Sequence, residues 1–208
     1  TLVVYLAAIF IPFGIKKINS QNVPNLLIYF SGIGAGFIIL ELTLIQKFTL
    51  LLGNPLYSIS VVLSSILFFG GVGSLFSKKI SVKNYTNVIK IATFLLAGLL
   101  LLFLVLSDYI FESLSSFSII TRGVMAIVVL VFPSFLLGTF LPLGIKITER
   151  ISKDLIPWMW SIDAITTVLG GALSTIIALL FGFKVAIIFG IVLYAVAFLS
   201  ISRIRKNL

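Results

Sequence analysis

The sequence predicts an all-α fold, a polytopic transmembrane helix bundle, and three observations carry that prediction. Hydrophobic residues make up 60% of the chain and charged residues only 10%, and the mean hydropathy of +1.27 lies well outside the range of soluble globular domains. The apolar residues fall in continuous runs near the ~20 residues that a helix needs to cross a hydrocarbon core, without the alternation that barrel strands would show. The breaks between the runs carry turn chemistry.

The chain starts at Thr1 inside an apolar run, Leu2 to Pro12, with no basic leader region and no small-residue cleavage site. The expectation is a partial first span over 1–15 of a chain that continues upstream, then a transmembrane helical domain over 16–208. Asn22-Val23-Pro24-Asn25 opens a full span over 25–47, and Gly53-Asn54-Pro55 separates it from a second over 56–77. Lys83-Asn84 precedes a third over 87–107, and Ser115-Ser116 precedes a fourth over 119–146. Lys153-Asp154 introduces a fifth over 157–181, and Phe181-Gly182-Phe183 divides it from a sixth over 184–202. The basic tail Arg203-Ile204-Arg205-Lys206-Asn207-Leu208 reads as a natural C-terminus.

Helices that alternate in direction should place their basic residues unequally, because cytoplasmic loops collect Lys and Arg. Of the fifteen basic residues, only Lys47, Arg122 and Lys184 fall on one side, while the rest, including Lys78, Lys79, Lys146, Arg150 and Arg203, fall on the other. The second side is therefore expected to be cytoplasmic and to hold the C-terminus. The net charge of +9 then points to anionic lipid headgroups rather than nucleic acid. The chain has no cysteine and no histidine, which removes disulfides, thiolate ligands and the commonest metal ligand, so no metal site and no cofactor are expected in this segment.

Glu41 is costly within an apolar span and needs a reason. At 1.5 Å per residue from Asn25 it should lie about 24 Å into a core about 30 Å thick, where Arg122 is the expected partner. Two readings stand: a structural ion pair holding helices in register, or a proton or cation site in a transport path. Gly34, Ile38 and Glu41 share one face, with the acid directed into the bundle. Asp163 should lie about 9 Å deep from the opposite side, too far from Glu41 for a catalytic carboxylate pair. Its expected roles are a first-turn acid after a Ser161 cap, an interfacial pair with Lys146 or Lys78, or a polar site with Thr166 and Thr167. Trp158 and Trp160 are expected to be interfacial anchors.

Gly34, Gly36, Gly71, Gly73, Gly138, Gly170 and Gly171 are expected to let helices approach closely. Pro133 and Pro142 are expected to interrupt one long helix, as broken helices do beside transporter cavities.

Several segments resemble a known family. Gly36-Phe-Ile-Ile-Leu-Glu41-Leu-Thr-Leu-Ile-Gln46-Lys47, continuing to Gly53-Asn54-Pro55-Leu56-Tyr57, is the most specific block. Ser60 to Ser74, Pro133 to Gly144 with Gly138 and Pro142, and Ile156-Pro157-Trp158-Met159-Trp160-Ser161-Ile162-Asp163 follow in the same order. Together they resemble bacterial membrane proteins whose multi-pass domain is fused to a spermidine-synthase-like (polyamine aminopropyltransferase-like) domain, and six helices so arranged also look like half of a major-facilitator transporter. The family often carries Asn where this chain has Asp163. The resemblance implies a bacterial inner-membrane location and an upstream soluble Rossmann-like domain that binds decarboxylated S-adenosylmethionine and a polyamine. No such domain is in this sequence, so this chain is not itself the aminopropyltransferase. Glu41, Arg122, Gln46 and Asp163 are the candidate intramembrane polar residues. Two functions are expected: a non-catalytic membrane domain that anchors and supplies substrate to its soluble partner, or a module of a secondary transporter for a small cationic or lipidic solute. The lipid bilayer is the expected partner, and the sequence leaves the oligomeric state open.

Overall fold

The computed structural model describes residues 22–81 and 84–204. Five helices follow one another: α1 (Val23–Leu52), α2 (Pro55–Ser77), α3 (Tyr85–Leu114), α4 (Ile119–Ile151) and, after a 3-10 turn at Lys153–Leu155, α5 (Ile156–Ser202). Each is long and apolar enough to cross a membrane, and no strand occurs among the described residues. The chain is a multi-pass helical membrane protein.

Local chemistry sets the boundaries. Pro24 occupies the first turn of α1, where a missing N–H costs nothing. Gly53, at φ 71°, ends the helix with its N–H bonded to the Thr49 carbonyl at 2.9 Å, a left-handed cap that glycine adopts without strain. Asn54 then caps α2, its side chain accepting from the Leu56 N–H at 2.8 Å, and Pro55 opens the new helix. One tripeptide stops one helix and starts the next. Ser118 caps α4 in the same manner, accepting from the Thr121 N–H.

Two expectations change. Pro133 and Pro142 both lie inside the continuous helix α4, which absorbs the lost backbone hydrogen bonds instead of breaking. The number of helices also differs from the six full spans expected. The segments expected over 157–181 and 184–202 form one helical run, whose only non-helical residue is Gly182, at φ 84° and ψ 167°. The partial span over 1–15 lies outside the described residues.

Gly182 nevertheless changes the direction of the chain. Before it, contacts climb α1 in step: Gly34 meets Asp163, Gly170 meets Ala35 and Ile38, and the Thr43 and Ser174 hydroxyls lie 3.4 Å apart. After it, the order inverts, with Gly190 against Leu40, Gly36 against Tyr194 and Gly32 against Ala197. The two arms of α5 therefore run along α1 in opposite senses. A tight reversal within an apolar stretch requires a backbone conformation that is essentially restricted to glycine.

Packing divides into two helix pairs. α1 packs mainly on α5 and α2 mainly on α4, while α4 and α5 touch only slightly. Glycines make both contacts close. A Cβ on Gly138 would overlap the Gly70 carbonyl oxygen, one on Gly73 would overlap the Phe135 carbonyl, and one on Gly34 would lie 2.5 Å from the Asp163 carbonyl oxygen. A Cβ on Gly170 would lie 2.7 Å from the Ile38 side chain and 2.9 Å from the Ala35 Cα, and one on Gly36 would lie 3.0 Å from the Tyr194 ring. Gly71 is a correction, since nothing lies within 4 Å of a Cβ placed there, and Gly171 has only ordinary contacts at 3.7 and 3.8 Å. Gly71 lies one position off the contact stripe, whereas Gly171 stays in ordinary contact with Ile38 and Leu42 of α1.

Charge locks the end of the bundle where α1 finishes. Asp108 on α3 receives Lys47 of α1 at 2.7 Å and Lys184 of α5 at 3.4 Å, which ties three helices to one carboxylate. Lys47 also lies over the Phe111 ring at 5.4 Å, beside the Phe48, Phe103 and Phe111 cluster. At the opposite end Lys146 donates to the Ser77 carbonyl at 2.8 Å, completing the C-terminus of α2 with a positive charge.

Candidate functional site, an intramembrane cavity

Because the α1–α5 and α2–α4 pairs meet loosely, a cavity of about 600 Å³ remains between them. Its walls come from all four helices, and most of its surface is apolar, with Phe37, Phe140 and Trp160 among the lining side chains. Among the described residues few of those lining it are polar: Asp163 and Thr167 from α5, Ser134 from α4, Ser74 from α2 and Tyr194 from the returning arm of α5. Apolar walls with a small number of convergent polar groups are the usual make-up of a small-molecule site.

Asp163 is placed there by glycine. Its carboxylate oxygen Oδ1 would lie 2.9 Å from a Cβ on Gly34, so only glycine on α1 leaves room for the acid at the helix contact. None of the partners expected for it is used. α5 already starts at Ile156, and Ser161 donates back to the Pro157 carbonyl at 2.9 Å instead of capping. The Thr166 hydroxyl goes to the Ile162 carbonyl and the Thr167 hydroxyl to the Asp163 carbonyl, at 2.9 and 2.8 Å. Lys146 is bonded to Ser77. Among the described residues the Asp163 carboxylate thus carries no side-chain hydrogen bond and no ion pair. Trp160, expected as an interfacial anchor, stands half-exposed at the cavity wall.

Glu41 and Arg122 do not pair. The Arg122 guanidinium is spent on carbonyls, with Nε donating to Phe117 at 3.0 Å, Nη1 to Leu51 at 3.2 Å and Nη2 to Ser115. It caps the C-terminal ends of α1 and α3, where a cation complements the exposed carbonyls. Equal depth does not bring the two residues together, because free carbonyls at helix ends lie within easier reach of Arg122. Glu41 is buried at 9% exposure and has neither a hydrogen bond nor an ion pair among the described residues. Gly34, Phe37 and Glu41 fall at i, i+3 and i+7, on one helix face, and the first two line the cavity. Glu41 therefore stands on the cavity side of α1, about 10 Å along the axis from Gly34. The Gln46 Oε1, farther along α1, is buried without a partner.

Sequence reasoning missed Ser134 and Tyr194. Ser134 is fully buried, and its Oγ has no hydrogen-bond partner although it belongs to the cavity wall. A serine beside Pro133 in an apolar run looks like a small packing residue, and no spacing rule marks it. Tyr194 packs on Phe140 with ring centroids 4.6 Å apart, and Tyr29 below it donates to the Phe140 carbonyl at 2.7 Å. Phe140 and Tyr194 both line the cavity.

The arrangement can hold a cation. A single carboxylate within an apolar, aromatic-lined space attracts a positive group, while the described residues of the cavity wall offer no second acid for proton transfer between carboxylates. Among the described residues no group of three or more His, Cys, Asp or Glu side chains lies close enough together to hold a metal ion. No family model, no curated protein and no solved structure matches this chain.

Proposed function

We propose that this chain is a non-catalytic, multi-pass membrane domain that holds a small cationic ligand in the cavity between its two helix pairs and supplies it to a soluble spermidine-synthase-like partner domain. The observation that carries this reading is the carboxylate of Asp163, unpaired among the described residues, in the wall of a largely apolar cavity. A charge at membrane depth is expensive, and acids at such depth usually serve an ion or substrate path. Linear amines fit the chemistry, since methylene segments suit the apolar wall and an ammonium suits the acid. In this reading the two arms of α5 are separate spans, giving six in all, in the layout of half a major-facilitator transporter. The basic end with Lys78, Lys79, Lys146, Arg150 and Arg203 faces the cytoplasm of a bacterial inner membrane.

Thermal stabilisation of the purified protein in nanodiscs by a panel of linear mono-, di- and triamines tests the proposal. Stabilisation that saturates and disappears in Asp163→Asn is expected. The absence of any amine-dependent shift, or a shift that survives Asp163→Asn, refutes it.

A second reading, as a module of a secondary transporter, is favoured by Glu41. This acid lies on the face of α1 that Gly34 and Phe37 share, nearer the other end than Asp163 of α5, so one acid on each helix marks a different depth. Amine uptake into proteoliposomes that Glu41→Gln abolishes while binding persists would select it.

A further inference from the structure

The walls of the cavity are not equally closed. α2 is drawn against α4 by the Gly70–Gly138 and Gly73–Phe135 contacts, and α5 is drawn against α1 by the Gly34 and Gly170 contacts. Between them, α2 and α5 keep every pair of Cα atoms more than 8 Å apart, although both line the cavity. The residues facing this gap are exposed as well as cavity-lining: Leu67 and Gly71 from α2, Trp160 and Ala164 from α5. Leu67 is 71% exposed and Trp160 53%. In a multi-pass bundle, exposed apolar side chains at this level face acyl chains, not water.

We propose that the cavity opens sideways to the bilayer between α2 and α5, and that its ligand is a membrane-partitioning amine: an ammonium head at Asp163 with an alkyl chain passing out between Gly71 and Trp160. Charge and surface both select this occupant. A fully hydrated polycation would give up water at several ammonium groups for one carboxylate, which desolvation disfavours. A single ammonium matches the one acid among the described lining residues, and Ser134 and Tyr194 line the same cavity. An alkyl chain leaves one apolar medium for another along Leu67 and the face of Trp160, so its passage costs little. The glycine contacts that hold α2 on α4 also keep α2 from closing the gap, because backbone already touches backbone there.

This inference rests on the cation-binding reading of Asp163, and the experiment separates the two. Binding of dodecylamine, which partitions into lipid, and of butylamine, which stays largely in water, is measured by calorimetry on the full chain in nanodiscs. The variants are Gly71→Trp, whose new side chain enters open space at the mouth of the gap, and Asp163→Asn. The expected result is saturable dodecylamine binding to the parent, lost in both variants, with butylamine binding lost only in Asp163→Asn. Dodecylamine binding that Gly71→Trp leaves intact overturns lateral access while the cation site stands. No binding of either amine to the parent overturns both. Should Gly71→Trp lose butylamine as well, Leu67→Trp, one turn away on the same lip, takes its place, and unchanged dodecylamine binding there overturns the proposal.

Discussion

Replacing Gly138 by alanine perturbs the tightest contact in the bundle. The new methyl would overlap the carbonyl oxygen of Gly70 and lie 2.5 Å from both its carbonyl carbon and its Cα. Carbon atoms in contact prefer about 3.5–4.0 Å, so α2 and α4 must separate by about 1 Å. No side chain can rotate away, because every obstructing atom is backbone. The shift also loosens the Gly73–Phe135 contact on the same stripe. Overpacking of this kind costs about 1–3 kcal/mol, and two rigid helices place Gly138→Ala at the upper end. Gly71→Ala is the control, one residue from Gly70 but with open space around its Cβ. In a helix interior it should be neutral, or stabilising by up to about 1 kcal/mol from helix propensity. Equilibrium unfolding in mixed micelles, followed by circular dichroism, measures both. If Gly138→Ala unfolds at the parent midpoint, or Gly71→Ala loses as much stability, the packing argument fails.

Three further outcomes are expected. Gly182→Ala forces an L-residue into a region of backbone space that costs about 1–3 kcal/mol, so the same unfolding assay should show a loss of that size; an unchanged midpoint would mean that the reversal does not depend on this conformation. Tyr29→Phe removes the hydroxyl that serves the Phe140 carbonyl and should cost about 0.5–1.5 kcal/mol, whereas stability equal to the parent would show that the bond contributes nothing net. In double-mutant cycles Asp108 should couple more strongly to Lys47, which is largely buried, than to Lys184, which is 64% exposed. Added salt should weaken the second coupling more than the first, and equal couplings would argue against the burial-based ranking.

The amino-acid sequence by itself determined the class of this protein. Continuous apolar runs, few charges and the punctuation at Gly53-Asn54-Pro55 suffice for membrane helices and for their main boundaries, because propensity, capping and hydrophobic length are local properties. The spacing of Gly34, Gly73 and Gly138 likewise marked contact stripes in advance, although Gly71 shows that a small residue one position off the stripe cannot be told from one on it. Tertiary structure alone decided the rest. Whether Phe181-Gly182-Phe183 divides two helices or turns one back depends on which face of α1 each arm meets. Arg122 went to helix-end carbonyls and not to Glu41, since partner choice depends on which acceptors lie within reach in three dimensions and depth along a helix does not supply that distance. Asp163 became a cavity residue only when α1 presented Gly34 to it and the two helix pairs left space beside them. A void is a property of how helices fail to meet, and no local pattern along the chain encodes it.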